Sequence, residues 1–241
     1  MPSPLKLSIV VPCYNEEKNI SLILEKFREI LKNQNEIELI LVDNGSSDST
    51  GSAIDREIKR QECSFARKVT VAQNQGYGFG VMTGLRESQG GVLAWTHADL
   101  QTDPGDVLRA YRLYQNEAKG NQKTLVKGYR VNRKISEKII SLGMQTLACL
   151  ILHQPFSEIN AQPKLFPREL LQWMNDPPND FSLDLYLLWT ALKNGFRVFT
   201  IPVYFKERIY GEAKGGAGNL RARWDLIQKT FKSILNLKQR A

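Results

Sequence analysis

The sequence is poor in cysteine and has no long apolar run. Its three cysteines, Cys13, Cys63 and Cys149, are odd in number and far apart, which excludes a disulfide framework and matches no zinc-ligand spacing. The N-terminal segment lacks the features of a signal peptide, and no apolar run has the length of a membrane-spanning helix. We therefore expect reduced thiols and a cytoplasmic protein that can still contact a membrane surface.

Two common phosphate-binding motifs are also missing. No strand-to-helix turn contains GxGxxG, or GxxxxGK followed by Ser or Thr, so neither a dinucleotide fingerprint nor a P-loop is supported. The glycine-rich stretch NQGYGFG, residues 74–80, offers backbone amides that could meet a phosphate. By itself, such a stretch is more often just a tight turn.

What is present is the composition of a soluble globular protein, with 42% apolar and 24% charged residues and no repeat. The formal net charge of +8 indicates an anionic partner: nucleic acid, a lipid surface or a phosphorylated substrate. Basic residues alternate with apolar ones in the C-terminal segment, which predicts a basic amphipathic helix from about residue 219 to 237.

Strands and helices alternate along the first half. Apolar strands are predicted at 5–12, 37–43, 68–74 and 91–99. Helices are predicted between them over 15–33 and 76–89, and residues 44–61 are predicted to be a Gly/Ser turn that runs into a helix. Asn15 is the expected N-cap of the first helix. The pattern predicts parallel βαβ units and therefore an α/β protein with a Rossmann-like, mostly parallel sheet flanked by helices.

The second half continues the alternation less regularly. Strands are predicted at 124–130 and 197–208, helices at 135–155 and 182–196, and a strand turning into a helix at 161–174.

Polar residues follow the buried strands where ligands bind in such sheets. Asp43 could accept hydrogen bonds from a base or ribose, and Asp99, two residues after His97, could hold a divalent cation that binds a diphosphate. Both aspartates are also ordinary turn-forming and helix-capping residues. Two carboxylates at equivalent strand ends favour a site.

Four motifs in chain order resemble those of the family-2 glycosyltransferases, whose nucleotide-binding domain has the GT-A fold: SIVVPCYNEEKNI, LILVDNGSSDST, NQGYGFGVMTGL and HADLQTDP. The second half resembles one branch, the polyprenyl-phosphate (dolichol-phosphate) mannosyl- and glucosyltransferases, in VKGYR, INAQPKLFPREL, the helix around Asp184 and FKERIYGEAK. The resemblance covers nearly the whole chain. It implies a GT-A domain over 1–218, divided at about residue 104 into nucleotide-binding and acceptor-binding halves, and a C-terminal basic amphipathic helix over 219–241.

The resemblance also implies roles for single residues. The residues expected to bind the nucleotide are Pro12, Tyr14, Glu16, Asp43 and Asp99. Those expected to bind a divalent cation, Mg²⁺ or Mn²⁺, are His97, Asp99 and Gln101. The residues expected to bind the acceptor phosphate are Arg130, Arg133, Arg208 and Lys214. Catalysis is expected from Asp99, Arg130, Arg208 and Asp184.

Two positions depart from the family pattern: His97, where the family has aspartate, and Ala213, where the branch usually has serine. A neutral imidazole suits Mn²⁺ better than Mg²⁺. His97 therefore allows three interpretations: an enzyme with a softer metal preference, one that relies on Asp99 with Gln101 or Asp103, or a divergent enzyme for another sugar or acceptor. A purely structural histidine is the remaining alternative.

The expected function is inverting transfer of a hexose from GDP-mannose or UDP-glucose to a polyprenyl phosphate at the cytoplasmic face of a membrane. Membrane contact would come from residues 138–153 and 219–241 or from a membrane-protein partner. A soluble transferase acting on a sugar or protein hydroxyl is an alternative, with Asp184 as its base. A sugar-nucleotide-binding relative weakened by His97 is another. Nucleic acid is not expected as a partner, because Asp43 and Asp99 would repel its backbone.

Overall fold

A computed structural model describes residues 6–118, 123–132, 135–208, 210 and 220–239, with only the backbone for 135–141 and 220–227. The elements in chain order are β1 (Leu7–Cys13), α1 (Glu17–Leu31), β2 (Ile37–Asn44), α2 (Thr50–Arg60), β3 (Ala66–Val71), α3 (Tyr77–Glu87), β4 (Val92–Trp95), α4 (Gly105–Glu117), β5 (Thr124–Arg130), α5 (Ile135–Leu152), β6 (Lys164–Pro167), a 3₁₀ helix (Arg168–Trp173), α6 (Leu183–Lys193), β7 (Arg197–Val203) and α7 (Leu220–Gln239).

The described strands form one seven-stranded sheet in the order β3-β2-β1-β4-β6-β5-β7. Strand β6 runs antiparallel to both β4 and β5, and the other neighbouring pairs are parallel. The predicted α/β class and mostly parallel sheet are confirmed. Strands β1 and β2 are buried on both faces, which is why their sequences are nearly continuous apolar runs.

Helices cover both faces of the sheet. Helix α1 buries Ile20, Ile23, Leu24, Phe27 and Leu31, the apolar residues at helical spacing in its sequence. In α7, Ile234 and Leu237 are buried in the core that also includes α5 residues such as Ala148. In the described part of the chain, no helix is both long and apolar enough to cross a membrane.

Several local predictions were wrong. Helix α4, over Gly105–Glu117, was not predicted, and the helix expected after β6 is a 3₁₀ helix. Strand β4 ends at Trp95 instead of residue 99, because the chain then turns through a loop in which Leu100 has a φ of 55°. Strand β7 likewise ends at Val203 instead of residue 208.

Asn15 is not the N-cap of α1. The cap position is Glu16, and Asn15 has a φ of 55°. Its side-chain oxygen accepts a hydrogen bond from the backbone N–H of Ser47 at 2.8 Å, and its own backbone N–H donates to Ser46 Oγ at 3.1 Å. Asn15 therefore ties the loop after β1 to the loop after β2, at the edge of the sheet where the site lies.

Candidate active site

A cavity of about 320 Å³ opens at the carboxyl ends of β1, β2 and β4. Its lining comprises Pro12, Tyr14, Glu16, Asn44, Asn74, Gly76, Tyr77, His97, Ala98, Asp99 and Phe181. The structure thus brings together three predicted nucleotide-binding residues with the predicted metal ligands His97 and Asp99. A larger cavity of about 830 Å³, near Glu38 and Gln89, contains none of the predicted residues.

Asp43 lies beside this cavity but is not one of its lining residues. Its Oδ1 accepts a hydrogen bond from the backbone N–H of Ser46 at 3.1 Å. A Cβ at Gly51 would come within 2.3 Å of Asp43 Oδ2, so the first turn of α2 packs directly against this carboxylate. The turn-forming interaction that aspartate favours is therefore present at Asp43.

Three rings form one wall of the cavity. Tyr77 stacks on Phe181 with ring centroids 4.8 Å apart. Tyr77 also contacts His97, with ring centroids 5.9 Å apart. The start of α3 reaches this position because Gly78 has no side chain: a Cβ there would lie 2.2 Å from the carbonyl oxygen of Pro178. The glycines of NQGYGFG thus permit close packing against the loop that carries Phe181.

The His97 imidazole forms part of this wall, where its surroundings favour the neutral form. Burial lowers its pKa below the ordinary value, and the charges of Asp99 and Asp184 oppose that effect only in part. A neutral ring keeps a nitrogen lone pair, which a metal ion or a donor proton can use.

A strap at residues 204–208, after β7, is held against the loop after β4. The Arg208 guanidinium donates from Nη2 to Asp99 Oδ2 at 2.8 Å and from Nε to Gln101 Oε1 at 3.0 Å. The backbone N–H of Lys206 donates to Gln101 O at 2.7 Å, and Gln101 Nε2 donates to Lys206 O at 3.0 Å. A predicted phosphate-binding arginine is therefore joined to two predicted metal ligands, Asp99 and Gln101.

Asp184 lies in a buried ionic cluster that the sequence analysis missed. Its Oδ1 accepts from Lys164 Nζ at 2.8 Å and from Gln162 Nε2 at 2.9 Å, and only 2% of Asp184 is exposed. Lys127 lies opposite Lys164 in the β5–β6 register and is also buried. Burial lowers the pKa of Lys127 to about 7, helped by the charge of Lys164.

A sequence signal for this cluster exists. Lys127 interrupts the strand TLVKGYR and Lys164 stands in QPKLFP, each among apolar residues of a predicted strand. A lysine at a position that must be buried needs several hydrogen-bond acceptors, and that requirement marks a polar site inside the fold.

Arg130 lies at the end of β5. Its Nε donates to Glu158 Oε2 at 2.7 Å, and its guanidinium carbon lies 6.0 Å from the Phe205 ring centroid. Arg130 thus contacts the strap through Phe205, and Arg208 is itself part of the strap. The predicted residues Arg133 and Lys214, and Ala213, lie outside the described residues.

The side chains that the structure describes include no group of three or more His, Cys, Asp or Glu that could hold a metal ion. At the predicted metal position, Asp99 Oδ1 accepts the backbone N–H of Gln101 at 3.1 Å while Oδ2 binds Arg208. His97 and Asp99 remain two donors facing one cavity.

The family model of glycosyl transferase family 2 matches residues 8–176. A similar curated protein is dolichyl-phosphate beta-glucosyltransferase ALG5A of Trichomonas vaginalis, 28% identical over 94% of this chain and 73% of that protein. Another is undecaprenyl-phosphate 4-deoxy-4-formamido-L-arabinose transferase of Pseudomonas paraeruginosa, 26% identical over 94% of this chain and 66% of that protein.

Solved structures share the fold. Glucosyl-3-phosphoglycerate synthase of Mycobacterium tuberculosis, in complex with Mn²⁺, UDP and phosphoglyceric acid, gives a TM-score of 0.74 at 17% identity, over 97% of this chain and 78% of that one. Mannosyltransferase PcManGT of Pyrobaculum calidifontis, in complex with GDP-Man and Mn²⁺, gives 0.70 at 19% identity, over 99% of this chain and 67% of that one.

Proposed function

The chain belongs to glycosyl transferase family 2 and has the GT-A fold, and we propose that it transfers a hexose from a nucleotide sugar to a polyprenyl phosphate with inversion at the anomeric carbon. The observation that carries this proposal is the contact of Arg208 with Asp99 at the cavity. A nucleoside diphosphate in the cavity would place its diphosphate beside this cation. The acceptor class is inferred from the dolichyl-phosphate and undecaprenyl-phosphate transferases named above.

The donor nucleotide would bind against Pro12, Tyr14 and Glu16, with the stacked Tyr77 and Phe181 rings as a further apolar surface of the cavity. Asp43 does not line the cavity, so it would contact the base or ribose only from the edge of the cavity. The donor is of the GDP-mannose or UDP-glucose type.

Two donor groups fit a divalent cation, because the Asp99 carboxylate and the neutral His97 imidazole face the same cavity. Gln101 would be a third donor through its side-chain oxygen. An imidazole and carboxylate pair favours Mn²⁺ over Mg²⁺. When bound, the cation would neutralise charge on the departing diphosphate. Asp99 Oδ2 already accepts from Arg208, so a cation held by this carboxylate would lie beside the Arg208 guanidinium.

The reaction is a single displacement. A phosphate oxygen of the acceptor forms a bond to the anomeric carbon while the bond from that carbon to the diphosphate breaks, and the nucleoside diphosphate leaves. A lipid phosphate is already anionic near neutral pH, so the enzyme must position it and screen its charge more than it must remove a proton. Arg130 and Arg208 would supply planar cations for it, and Arg133 and Lys214 would add to them.

Contact with the membrane would come from the packed helices α5 and α7. Exposed apolar side chains occur on both: Leu142 (58% exposed), Leu150 (68%), Phe231 (41%) and Leu235 (40%). Lys229, Lys232 and Lys238 accompany them on α7, and basic residues near such side chains favour an anionic lipid surface. We place this contact at the cytoplasmic face, with a membrane-protein partner as the alternative to direct lipid binding.

The alternative acceptor, a sugar or protein hydroxyl, would need a base, and Asp184 is the candidate. Its Oδ1 already binds Lys164 and Gln162, which makes the phosphate acceptor the better supported choice. A relative that binds sugar nucleotides without turnover is the other alternative, since His97 removes a carboxylate.

Sugar transfer from radiolabelled UDP-glucose and GDP-mannose tests the proposal. The acceptors are a polyprenyl phosphate in anionic vesicles, the same vesicles with the unphosphorylated polyprenol, and a soluble sugar, each with Mn²⁺, Mg²⁺ or chelator. We expect label in the lipid phase only with the phosphorylated lipid. Label on the soluble sugar would indicate the hydroxyl transferase instead. Nucleotide-dependent thermal stabilisation without transfer would indicate the binding protein.

Flotation with the same vesicles tests the membrane surface. Leu150→Ser and Phe231→Ser should reduce the bound fraction, whereas Tyr204→Ser, which removes a side chain that is 63% exposed outside the α5–α7 pair, is the control. Binding that persists in both variants would exclude this surface.

A further inference from the structure

Lys164 is buried to an unusual degree for a lysine, with 0% of its surface exposed. Its ammonium group lies within hydrogen-bond distance of three acceptors: Ile159 O at 2.7 Å, Ala161 O at 2.9 Å and Asp184 Oδ1 at 2.8 Å. An ammonium has three N–H donors, and each has an acceptor here. The group therefore joins three separate parts of the chain: β6, the 158–161 segment and α6.

Stability alone gives little reason for such a group. Leu165 and Phe166, the next two residues of β6, are also fully buried, so the surrounding core accommodates apolar side chains. Replacing a buried ion pair by apolar groups of similar size is often neutral or stabilising, because the desolvation of two charges offsets their attraction. What the ion pair supplies is a fixed position for the groups that it joins.

These groups lead to the cavity wall. Gln162 Nε2 donates to Asp184 Oδ1 at 2.9 Å and also lies 3.3 Å from the Tyr77 hydroxyl. The Tyr77 ring lines the cavity, stacks on Phe181 and faces His97. A continuous chain of contacts thus runs from Lys164 through Asp184 and Gln162 to the wall of the donor cavity.

The same segment leads to the acceptor side. Lys127 Nζ donates to the backbone carbonyl of Glu158 at 3.0 Å, while the Glu158 carboxylate accepts from Arg130 at 2.7 Å. Lys127 and Lys164, two buried lysines that lie opposite each other in the β5–β6 register, thus both donate hydrogen bonds to backbone carbonyls of the 158–161 segment. Glu158 in this segment binds Arg130, and Gln162, the residue after the segment, contacts Tyr77.

We propose that Lys164 is a positioning residue for the transfer reaction: through Asp184 and Gln162 it fixes the Tyr77 wall of the donor cavity, and through the 158–161 carbonyls it fixes the segment that holds Arg130. The inference rests on the proposed function, since it assigns the cavity to a nucleotide. Lys164 touches no substrate in this arrangement and acts through its neighbours.

The test compares Lys164→Met/Asp184→Asn with Asp184→Asn alone. The single variant keeps an oxygen acceptor for Lys164, and the double variant removes the ammonium without leaving an unpaired buried carboxylate. Calorimetric affinity for UDP or GDP, whichever binds the unmodified protein, is measured with urea unfolding. Compared with Asp184→Asn alone, we expect the double variant to unfold at a similar urea concentration but to bind the nucleotide at least about tenfold more weakly. Losses of about this size are expected when the hydrogen-bonded groups that support a binding site are removed.

A second variant covers the case in which the double variant does not fold. Gln162→Met keeps the Lys164–Asp184 ion pair and removes the hydrogen bonds that Gln162 donates to Asp184 and Tyr77, so it should weaken nucleotide binding while the free energy of unfolding changes little. Nucleotide affinities within about twofold of their references in both comparisons would overturn the positioning role, because a structural residue would change stability alone. If the unmodified protein binds neither UDP nor GDP, the proposed function itself fails.

Discussion

Lys127 provides a quantitative test of the buried cluster. Its Nζ contacts the carbonyl oxygens of Gly128 and Glu158, and burial lowers its pKa from 10.5 to about 7. In the unfolded chain, the side chain keeps its proton up to a pH of about 10.4. Between these two values the unfolded state binds more protons than the folded state, so this group makes the free energy of unfolding rise with pH.

The magnitude follows from linkage. One proton gives a slope of about 1.4 kcal/mol per pH unit, and the whole interval corresponds to about 4–5 kcal/mol at most. Below pH 6 the side chain is protonated in both states and the slope disappears. Below pH 6 the cost of burying the charge is therefore present in full, and it is progressively relieved as the pH rises through 7.

The perturbation is Lys127→Met, and the assay is urea unfolding at pH 5.5, 7.5, 8.5 and 9.5, followed by circular dichroism. The free energy of unfolding of the unmodified protein minus that of the variant should rise by roughly 1.4 kcal/mol per pH unit above pH 7.5. Using the difference cancels the contributions of Cys13, Cys63 and other groups that titrate in this range. Lys123→Met removes an exposed lysine just before β5 and is the matched control. A difference that stays constant from pH 7.5 to 9.5 would refute the reasoning.

Three further predictions concern the cavity and the acceptor side. Gly78→Ala should cost about 1–3 kcal/mol in urea unfolding and weaken nucleotide binding, because its Cβ would overlap the carbonyl of Pro178; Gly143→Ala, whose Cβ meets nothing within 4 Å, is the control, and equal effects would contradict the packing argument. His97→Asp should raise the nucleotide-dependent thermal shift in Mg²⁺ relative to Mn²⁺, since it restores a second carboxylate; an unchanged ratio would exclude His97 from the cation site. Arg130→Lys should raise the KM for the lipid phosphate by about tenfold with little change in donor affinity, because lysine lacks the planar fork; an unchanged acceptor KM would remove Arg130 from the acceptor site.

The fold could be predicted from local patterns because parallel strands buried on both faces are continuous apolar runs, and the helices between them have one apolar face. Strand limits were less predictable. The polar residues after Trp95 read as a strand end, but β4 pairs only through Trp95 and the chain then turns. Helix α4 was missed because the acidic and proline-containing segment before it was interpreted only as a possible cation site.

The candidate site was predicted in part. Pro12, Tyr14, Glu16, His97 and Asp99 do share one cavity, as motifs at the carboxyl ends of neighbouring parallel strands must. Phe181 was not predicted, because it reaches the cavity from a loop far along the chain, and that loop can approach only because Gly76 and Gly78 have no side chains.

The sequence by itself determined the α/β architecture and the end of the sheet at which the predicted site residues meet, because apolar periodicity and strand ends are local properties of the chain. Only the tertiary structure decided which charges meet. Arg208 pairs with Asp99 and Lys164 with Asp184 across separations of 109 and 20 residues. Such pairs depend on where the antiparallel strand β6 and the strap after β7 lie in the fold, and composition and spacing carry no information about that.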